Sequence, residues 1–208
     1  MKTFVLRRRI GIVLAVAMFP GLCLAAARKT GRDEWNQPAR VVEDLGLKNG
    51  SRIADIGCGR GYFTFRLAKA VGEKGKVYAT EISSRSLKSV SDRVKKDKLT
   101  NIEPVLSDPT DTKLKSDSID AAVICNVLHH VPKNLRAALT KDIARAIRPG
   151  GFLFIVDWQL NADVPYDKGR RIPRDELLKL AKDAGLTFDA EFLYLKHQVF
   201  FRCRKPEK

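Results

Sequence analysis

Cysteine is scarce in this sequence, with four residues in a chain of 208. Cys23 lies in the N-terminal segment, and the other three are far apart at Cys58, Cys125 and Cys203. Neither a disulfide framework nor a cysteine-based metal site has this spacing, so the sequence assigns no metal. The length suits one domain with a core of ordinary size, and there is no internal repeat or low-complexity linker.

Basic runs interleaved with aromatic residues are also missing. Lysine and arginine total 39 against 24 acidic residues, a formal net charge of +15. The paired cations at 95–96 and 170–171 stand alone, so nucleic acid is not indicated as a partner. The charge favours an anionic partner, such as an acidic substrate or lipid headgroups. The alternative is a lysine-rich surface that only keeps the chain soluble.

No acidic residue precedes Asp33. Lys2 and the arginines at 7–9 come before an apolar stretch from Ile10 to Phe19. This pattern predicts a targeting segment over residues 1–27 that is not part of the fold. It is either a signal peptide cleaved near residues 25–27 or an uncleaved membrane anchor, because residues 10–27 are just numerous enough to span a membrane. A lipid anchor at Cys23 and an organelle transit peptide are weaker alternatives.

The remainder, residues 28–208, is predicted to form the folded domain. Setting residues 1–27 aside lowers the formal charge from +15 to +11, so the domain is still strongly basic. We expect the protein either to be exported, as a periplasmic or secreted protein, or to be anchored to the inner membrane through its N-terminal segment.

Short apolar runs alternate with segments of helical period from Arg52 onward, a pattern typical of βαβ units around a parallel sheet. The strands are predicted at 52–56, 76–82, 102–106, 119–125 and 152–158. A helix at 173–184 and two β-like runs at 187–194 and 198–203 follow, and the short link between the runs requires an antiparallel hairpin. A helix over 33–47 precedes the sheet. The fold class is therefore α/β, a Rossmann-like doubly wound sheet.

The glycine-rich segment DIGCGRGY, residues 55–62, lies between the first strand and the next helix. Glycine in such a turn permits positive φ and lets a ligand approach the backbone. A dinucleotide fingerprint would have its third glycine where Tyr62 stands. Asp55 also suits a ligand that carries an ammonium group better than one that carries a pyrophosphate. The glycines in question are Gly57, Gly59 and Gly61.

Three polar residues follow the other strands at the same edge of the sheet. Glu81 ends the second strand, where a carboxylate can accept both hydroxyls of a ribose. Asp108 follows the third strand and can accept a hydrogen bond from the exocyclic amine of an adenine. Asn126 follows the fourth strand. Taken singly, Glu81 and Asp108 are ordinary strand-end and turn residues.

With these motifs the sequence resembles the class I S-adenosylmethionine-dependent methyltransferases from about Arg32 to Arg204. The resemblance rests on residues 32–35, the glycine loop at 54–63, the second strand at 75–81, residues 101–105, 128–131 and 148–151, and the closing hairpin. It implies that S-adenosyl-L-methionine is the cofactor. It also implies that the glycine loop and Asp55 hold the methionine end, Glu81 the ribose, Ile82 and Asp108 the adenine, and that Asn126 lines the sulfonium side. Glu at position 81 departs from the commoner Asp.

His129 and His130 follow the fourth strand at the rim where a substrate would enter, and either can act as a general base near neutral pH. Packing of one histidine and helix capping by the other is the alternative. Trp35, Asp157, Trp158 and Tyr166 are candidates for the wall of a substrate pocket.

The expected function is transfer of a methyl group to an unidentified acceptor by in-line displacement, and the charge of the chain favours an anionic acceptor. Two other functions stay open. One is a nicotinamide-dependent oxidoreductase, which Tyr62 and Asp55 disfavour, and the other is a non-catalytic module that binds an adenosyl ligand.

Overall fold

A computed structural model of the chain describes residues 31–164 and 167–207. Seven strands form one sheet in the order β3-β2-β1-β4-β5-β7-β6. Strands β1 to β5 are parallel, whereas β7 runs antiparallel to both β5 and β6. The strands are β1 Arg52–Ile56, β2 Lys76–Glu81, β3 Ile102–Leu106, β4 Ile119–Cys125, β5 Ile147–Trp158, β6 Thr187–Glu191 and β7 Gln198–Arg204. The predicted fold class is confirmed.

Helices cover both faces of this sheet. They are α1 Gly31–Asn36, α2 Pro38–Asp44, α3 Thr64–Val71, α4 Ser84–Lys96, α5 Lys133–Ala146 and α6 Arg174–Asp183, with short 3-10 turns at Leu128–His130 and Lys168–Arg170. Alternate residues of β1 show the division: Ile53 packs with the side chains of α2, α3 and α4, and Ala54 packs with those of α5 and α6. The sheet therefore separates two apolar cores, which explains why its strands are continuous apolar runs.

Two elements differ from the sequence prediction. The helix predicted over 33–47 is broken at Gln37, which has φ 38° and ψ 54°, because it precedes Pro38 and the α conformation is disfavoured there. Strand β5 begins at Ile147 rather than Phe152. Ile147 pairs with Ile119 and Phe152 with Ala121, so the strand takes in an irregularity at residues 148–151.

The antiparallel pairing of the last two strands is as predicted, although β6 ends at Glu191 rather than Tyr194. No helix within residues 31–164 or 167–207 has the length and apolar character needed to cross a membrane. The targeting segment predicted over residues 1–27 lies outside the described residues, and so does Tyr166.

Candidate active site

The candidate site lies at the carboxyl ends of β1 and β4, where the strand order reverses direction along the sheet. In open parallel sheets, loops after the strands on either side of such a reversal leave a crevice that binds ligands. Gly57 follows β1 and Asn126 follows β4, and both line the same cavity. The topology therefore brings together residues that are distant in sequence.

Positive φ angles occur at Gly57, Gly59 and Gly61 in the loop after β1, at +66°, +56° and +86°. A Cβ on Gly57 would lie 2.7 Å from Cγ2 of Val127, and a Cβ on Gly61 would lie 2.5 Å from the Phe65 ring. Those two glycines are therefore needed for packing within the protein. A Cβ on Gly59 would meet nothing within 4 Å. Of the three glycines of this loop, it is therefore the one whose backbone a ligand can approach.

The Glu81 carboxylate fixes the shape of this loop from the end of β2. Its Oε2 accepts a hydrogen bond from the Gly59 amide at 2.8 Å, and its Oε1 accepts one from the Ser83 amide at 2.9 Å. A carboxylate has about four lone-pair positions, so two remain for a ligand. Glu81 thus holds the glycine loop and still presents acceptors to the cavity.

Asp55 lies behind the glycine loop and is only 3% exposed. Its Oδ2 accepts a hydrogen bond from the Thr64 hydroxyl at 2.6 Å. Burial raises the pKa of Asp55 to about 6, and the bond from Thr64 opposes that shift. The Asp55 carboxyl is therefore buried behind the residues that line the cavity. It can influence a ligand there by its charge but does not contact the cavity.

A first cavity of about 470 Å³ is lined by the ends of four parallel strands. Glu81 and Asp108 provide its carboxylates, and Ile82, which is 60% exposed, provides an apolar wall. Asp108 also forms an ion pair with Lys113 at 2.5 Å. The other lining residues include Ile56, Gly57, Thr80, Ser107, Pro109, Thr112, Asn126, Val127, His130, Val131, Pro132, Leu135 and Leu139.

Asn126 is held in a strained conformation by a network of amides. Its φ is +56°, which is uncommon for a residue other than glycine. The Gln198 amide donates to Asn126 Oδ1 at 2.8 Å and to Asn36 Oδ1 at 3.0 Å, and Asn126 Nδ2 donates to Asn36 at 3.3 Å. Helix α1 and strand β7 thereby fix the side chain that follows β4.

A second cavity of about 440 Å³ adjoins the first and shares Asn126 and His130 with it. The indole rings of Trp35 and Trp158 pack edge to face in its wall, with their centroids 6.4 Å apart. Arg32 provides a positive charge. The remaining lining residues are Gly31, Asn36, His129 and Asp167.

The two candidate bases occupy different environments. His129 is buried, and its Nδ1 lies 2.5 Å from Oδ1 of Asp157, which is buried as well. His130 is exposed and lines both cavities, and partial burial together with the neighbouring His129 lowers its pKa. A ligand atom from each histidine and from Asp167 lies within 4.8 Å of the others, so this cluster has the composition of a metal site.

The structure places most of the predicted residues at one edge of the sheet. Gly57, Glu81, Ile82, Asp108, Asn126 and His130 line the first cavity, His129 lines the second, and Gly59 is bonded to Glu81. Asp55, Gly59 and Gly61 lie outside the lining of both cavities. Asp157 supports His129 from behind rather than facing the second cavity.

Sequence reasoning missed three polar residues of the site. Asn36 and Gln198 bond Asn126 across 90 and 72 positions of sequence, and Asp167 approaches His129 across 38. No spacing rule joins residues this far apart. Only Asn36 carried a local signal, since it ends α1 close to the helix-breaking Pro38.

Comparison with known proteins finds a match for the central part of the chain. A family model described as a methyltransferase domain matches residues 53–151. The chain is also similar to a demethylmenaquinone methyltransferase of Staphylococcus saprophyticus, with 32% identity over 118 residues. That alignment covers 57% of this chain and 49% of the relative, so the chain spans about half the length of the relative it matches.

Solved structures share the fold over a longer part of the chain. A S-adenosylmethionine-dependent methyltransferase from Aquifex aeolicus has 25% identity and a TM-score of 0.78, and the match covers 85% of this chain and 94% of that one. A [4+2]-cyclase has 16% identity and a TM-score of 0.69, covering 87% and 86%. The cyclase shares the fold alone, and a fold of this kind hosts more than one chemistry.

Proposed function

We propose that this chain, whose residues 53–151 match a methyltransferase-domain family model, is a class I S-adenosylmethionine-dependent methyltransferase and transfers the methyl group of that cofactor to an acceptor in the second cavity. The observation that carries the proposal is that the two cavities share Asn126 and His130. A cofactor in the first cavity and an acceptor in the second would meet at those two residues.

The residues of the first cavity fit the cofactor. Gly59 does not line this cavity, but its amide is bonded to the lining residue Glu81 and the space beside it is open, so a ligand can lie against its backbone. The free lone pairs of Glu81 suit ribose hydroxyls, the Asp108 carboxylate suits an adenine amine, and the exposed face of Ile82 suits the ring. Asp55 provides negative charge behind the loop, which suits the ammonium at the methionine end.

When bound, S-adenosylmethionine supplies an electrophilic methyl group, and the bond from acceptor to methyl forms as the carbon–sulfur bond breaks. The work of the protein is alignment and exclusion of water. Asn126 is fixed by Asn36 and Gln198 where the cavities meet. Val127, Val131 and Leu135 give the first cavity apolar walls. The assignment of His130 or His129 as a base stays a prediction.

The acceptor is proposed to carry negative charge. Arg32 lines the second cavity, and the chain as a whole has a formal charge of +15. The indoles of Trp35 and Trp158 suit an acceptor with a flat apolar part. The Staphylococcus relative is named for demethylmenaquinone, so we include that quinone among the acceptors to be tested.

The place of action is proposed to be outside the cytoplasm or at the inner membrane. The proposal rests on residues 1–27 alone, where four cations precede an apolar stretch and no acid occurs. An acceptor that is a membrane lipid or a quinone would agree with that location.

Calorimetry with S-adenosylmethionine, its demethylated product and nicotinamide dinucleotides tests the cofactor. We expect micromolar affinity for the first two, roughly −8 kcal/mol, and none for the dinucleotides. The reverse pattern would instead support the oxidoreductase alternative. Labelled methyl transfer into soluble and membrane extracts then tests the reaction. Tight cofactor binding with no labelled product in any extract would favour the non-catalytic module.

A further inference from the structure

We propose that His129, His130 and Asp167 bind one divalent transition-metal ion at the wall of the second cavity. One potential ligand atom from each lies within 4.8 Å of the others. Two imidazoles and one carboxylate are a donor set that binds zinc and related ions in proteins. The sequence assigned no metal on the spacing of its cysteines, and no local motif joins Asp167 to the histidine pair.

The first support is the orientation of the buried His129 ring. Its side chain is 0% exposed, and its Nδ1 lies 2.5 Å from Asp157 Oδ1. That carboxylate also accepts from the Trp158 amide at 2.8 Å, so it is itself held in place. A carboxylate bonded to one ring nitrogen leaves the lone pair of the other nitrogen available to a metal.

The second support is that His129 Nε2 is buried with no hydrogen-bond partner. A buried polar atom without a hydrogen-bond partner lowers the stability of the folded state. A bound ion at Nε2 would remove that cost. The Oδ2 atom of Asp167 lies 3.4 Å from Nε2. With the ring proton on Nδ1, both atoms are acceptors, and two acceptors at this separation repel unless a cation lies between them.

The separation itself matches a shared metal ion. Two ligand atoms about 2.0 to 2.2 Å from a zinc ion at the tetrahedral angle lie about 3.4 Å apart. The pair Nε2 and Oδ2 is at that distance. A hydrogen bond would instead require a shorter and better aligned contact.

His130 completes the set from the next position of the same 3-10 turn. Its ring centroid is 4.0 Å from that of His129, and its side chain is exposed enough to turn. Arg170 Nη1 lies 3.4 Å from His130 Nδ1, and its charge opposes a cation. The carboxylates of Asp157 and Asp167 offset that charge together with part of the charge of the ion.

Three protein ligands leave a tetrahedral ion one open position, as in catalytic zinc sites. All three ligands line the second cavity with Arg32 and Asn126, so the open position would face the acceptor. Resting on the proposed function, this makes an acceptor with an anionic oxygen the natural fourth ligand. The ion would then lower the proton affinity of that oxygen and keep it ionised as a nucleophile. Without the ion, a general base would have to remove the proton.

The test uses the full chain without a histidine tag, treated with a chelator and then titrated with Zn²⁺ against a chromophoric competitor, and with Co²⁺ followed by visible absorption. We expect one equivalent to bind. Asp167→Asn and His129→Ala should lose at least the about 10- to 100-fold in affinity that is typical for an outer-shell change. His197→Ala and Asp163→Asn are matched controls and should bind like wild type.

No binding by the wild-type chain, or equal binding by Asp167→Asn, overturns the proposal, and an imidazolium bridging Asp157 and Asp167 is then the better account. If His129→Ala fails to fold, metal binding by Asp167→Asn tests the proposal. The Asp167 side chain is 26% exposed, so its substitution disturbs the fold less than that of the buried His129. A thiolate charge-transfer band with Co²⁺ would assign the metal to a cysteine and also overturn it. S-adenosylmethionine binding by the metal-free chain separates this failure from failure of the proposed function.

Discussion

At the scale of single residues, Gly59 differs from its two neighbouring glycines. Gly57 and Gly61 are required by Val127 and Phe65, whereas the space beside Gly59 is open. We predict that Gly59→Ala folds and loses cofactor binding, because its Cβ would occupy the space that the ligand needs. Alanine at φ +56° should also lower the free energy of unfolding by about 1 to 2 kcal/mol.

Gly46 provides the matched control for this prediction. It has φ +61°, and a Cβ there would also meet nothing within 4 Å. Its amide bonds the Glu43 carbonyl in the turn after α2, whereas the Gly59 amide bonds the cavity residue Glu81. Gly46→Ala should therefore lose similar stability and keep full affinity in calorimetry. Equal affinity of both variants for S-adenosylmethionine would show that the ligand does not lie against Gly59.

The raised pKa of Asp55 predicts that the stability of the chain depends on pH. Its pKa rises from an ordinary 3.8 to about 6 in the folded chain, chiefly through burial. The folded state thus holds the proton more tightly than the unfolded state, so raising the pH from about 4 through about 6 lowers stability. Relative to Asp55→Asn, the wild type should lose about 3 kcal/mol over that window.

Denaturant unfolding of both proteins at several pH values between about 4 and 7 measures this difference. Asparagine keeps an oxygen that can accept from Thr64, so the comparison removes the charge and little else. Parallel stability curves for the two proteins would mean that the carboxyl of Asp55 is not desolvated as the structure indicates.

At the scale of elements, Arg171 holds the loop after β5. Its guanidinium donates to the carbonyls of Leu160, Ala162 and Val164 at 3.1, 2.7 and 3.0 Å. The loop leads from Trp158 toward Asp167, so it supports the wall of the second cavity. We predict that Arg171→Lys, which cannot reach all three carbonyls, speeds amide hydrogen exchange in this loop and lowers stability by about 1.5 to 3 kcal/mol.

Arg174→Lys is the matched control for that variant. Arg174 pairs with the Glu191 carboxylate at the protein surface, an interaction typically worth at most about 1 kcal/mol. In the Arg174→Lys variant, amide hydrogen exchange in the loop after β5, measured by mass spectrometry, should equal that of wild type. Unchanged exchange in Arg171→Lys would indicate that packing of Ala162 and Val164 against the indoles holds the loop without the arginine.

The sequence predicted the elements well wherever one local rule acted alone. Strands β1, β3 and β4 were placed at their observed bounds. Both faces of the largely apolar β1 and β4 are covered, whereas β3 lies at the sheet edge with Glu103 exposed. It failed where two rules competed. Pro38 interrupts a helical pattern at Gln37, and the pairing of Ile147 with Ile119 extends β5 back to the end of α5.

At the scale of the whole molecule, the fold class followed from the order of elements, whereas the contacts between loops did not. The site depends on α1 and β7 meeting the end of β4, so that Asn36 and Gln198 reach Asn126. The sheet order β1-β4-β5-β7 determines which strand ends lie close enough for these contacts. Local pattern predicts elements, and topology alone decides which loop ends share a cavity.

The whole chain also carries the prediction about location. Residues 1–27 combine four cations, an apolar stretch and small residues after Pro20 and Gly21. We predict that the chain is recovered from the periplasm, the medium or the inner membrane. A charge placed in the apolar stretch, as in Val13→Asp with Val16→Asp, should retain it in the cytoplasm, because a signal segment must enter an apolar environment.

Cell fractionation with mass measurement of the N-terminus checks this prediction. Processing near residues 25–27 would identify a signal peptide, and an intact chain in the membrane fraction would identify an anchor. Glu34→Lys is the control, since it changes an exposed charge within α1 and should leave the location unchanged. Wild-type chain found intact in the soluble cytoplasmic fraction would exclude both forms of the leader, and the acceptor would then have to be sought among cytoplasmic anions.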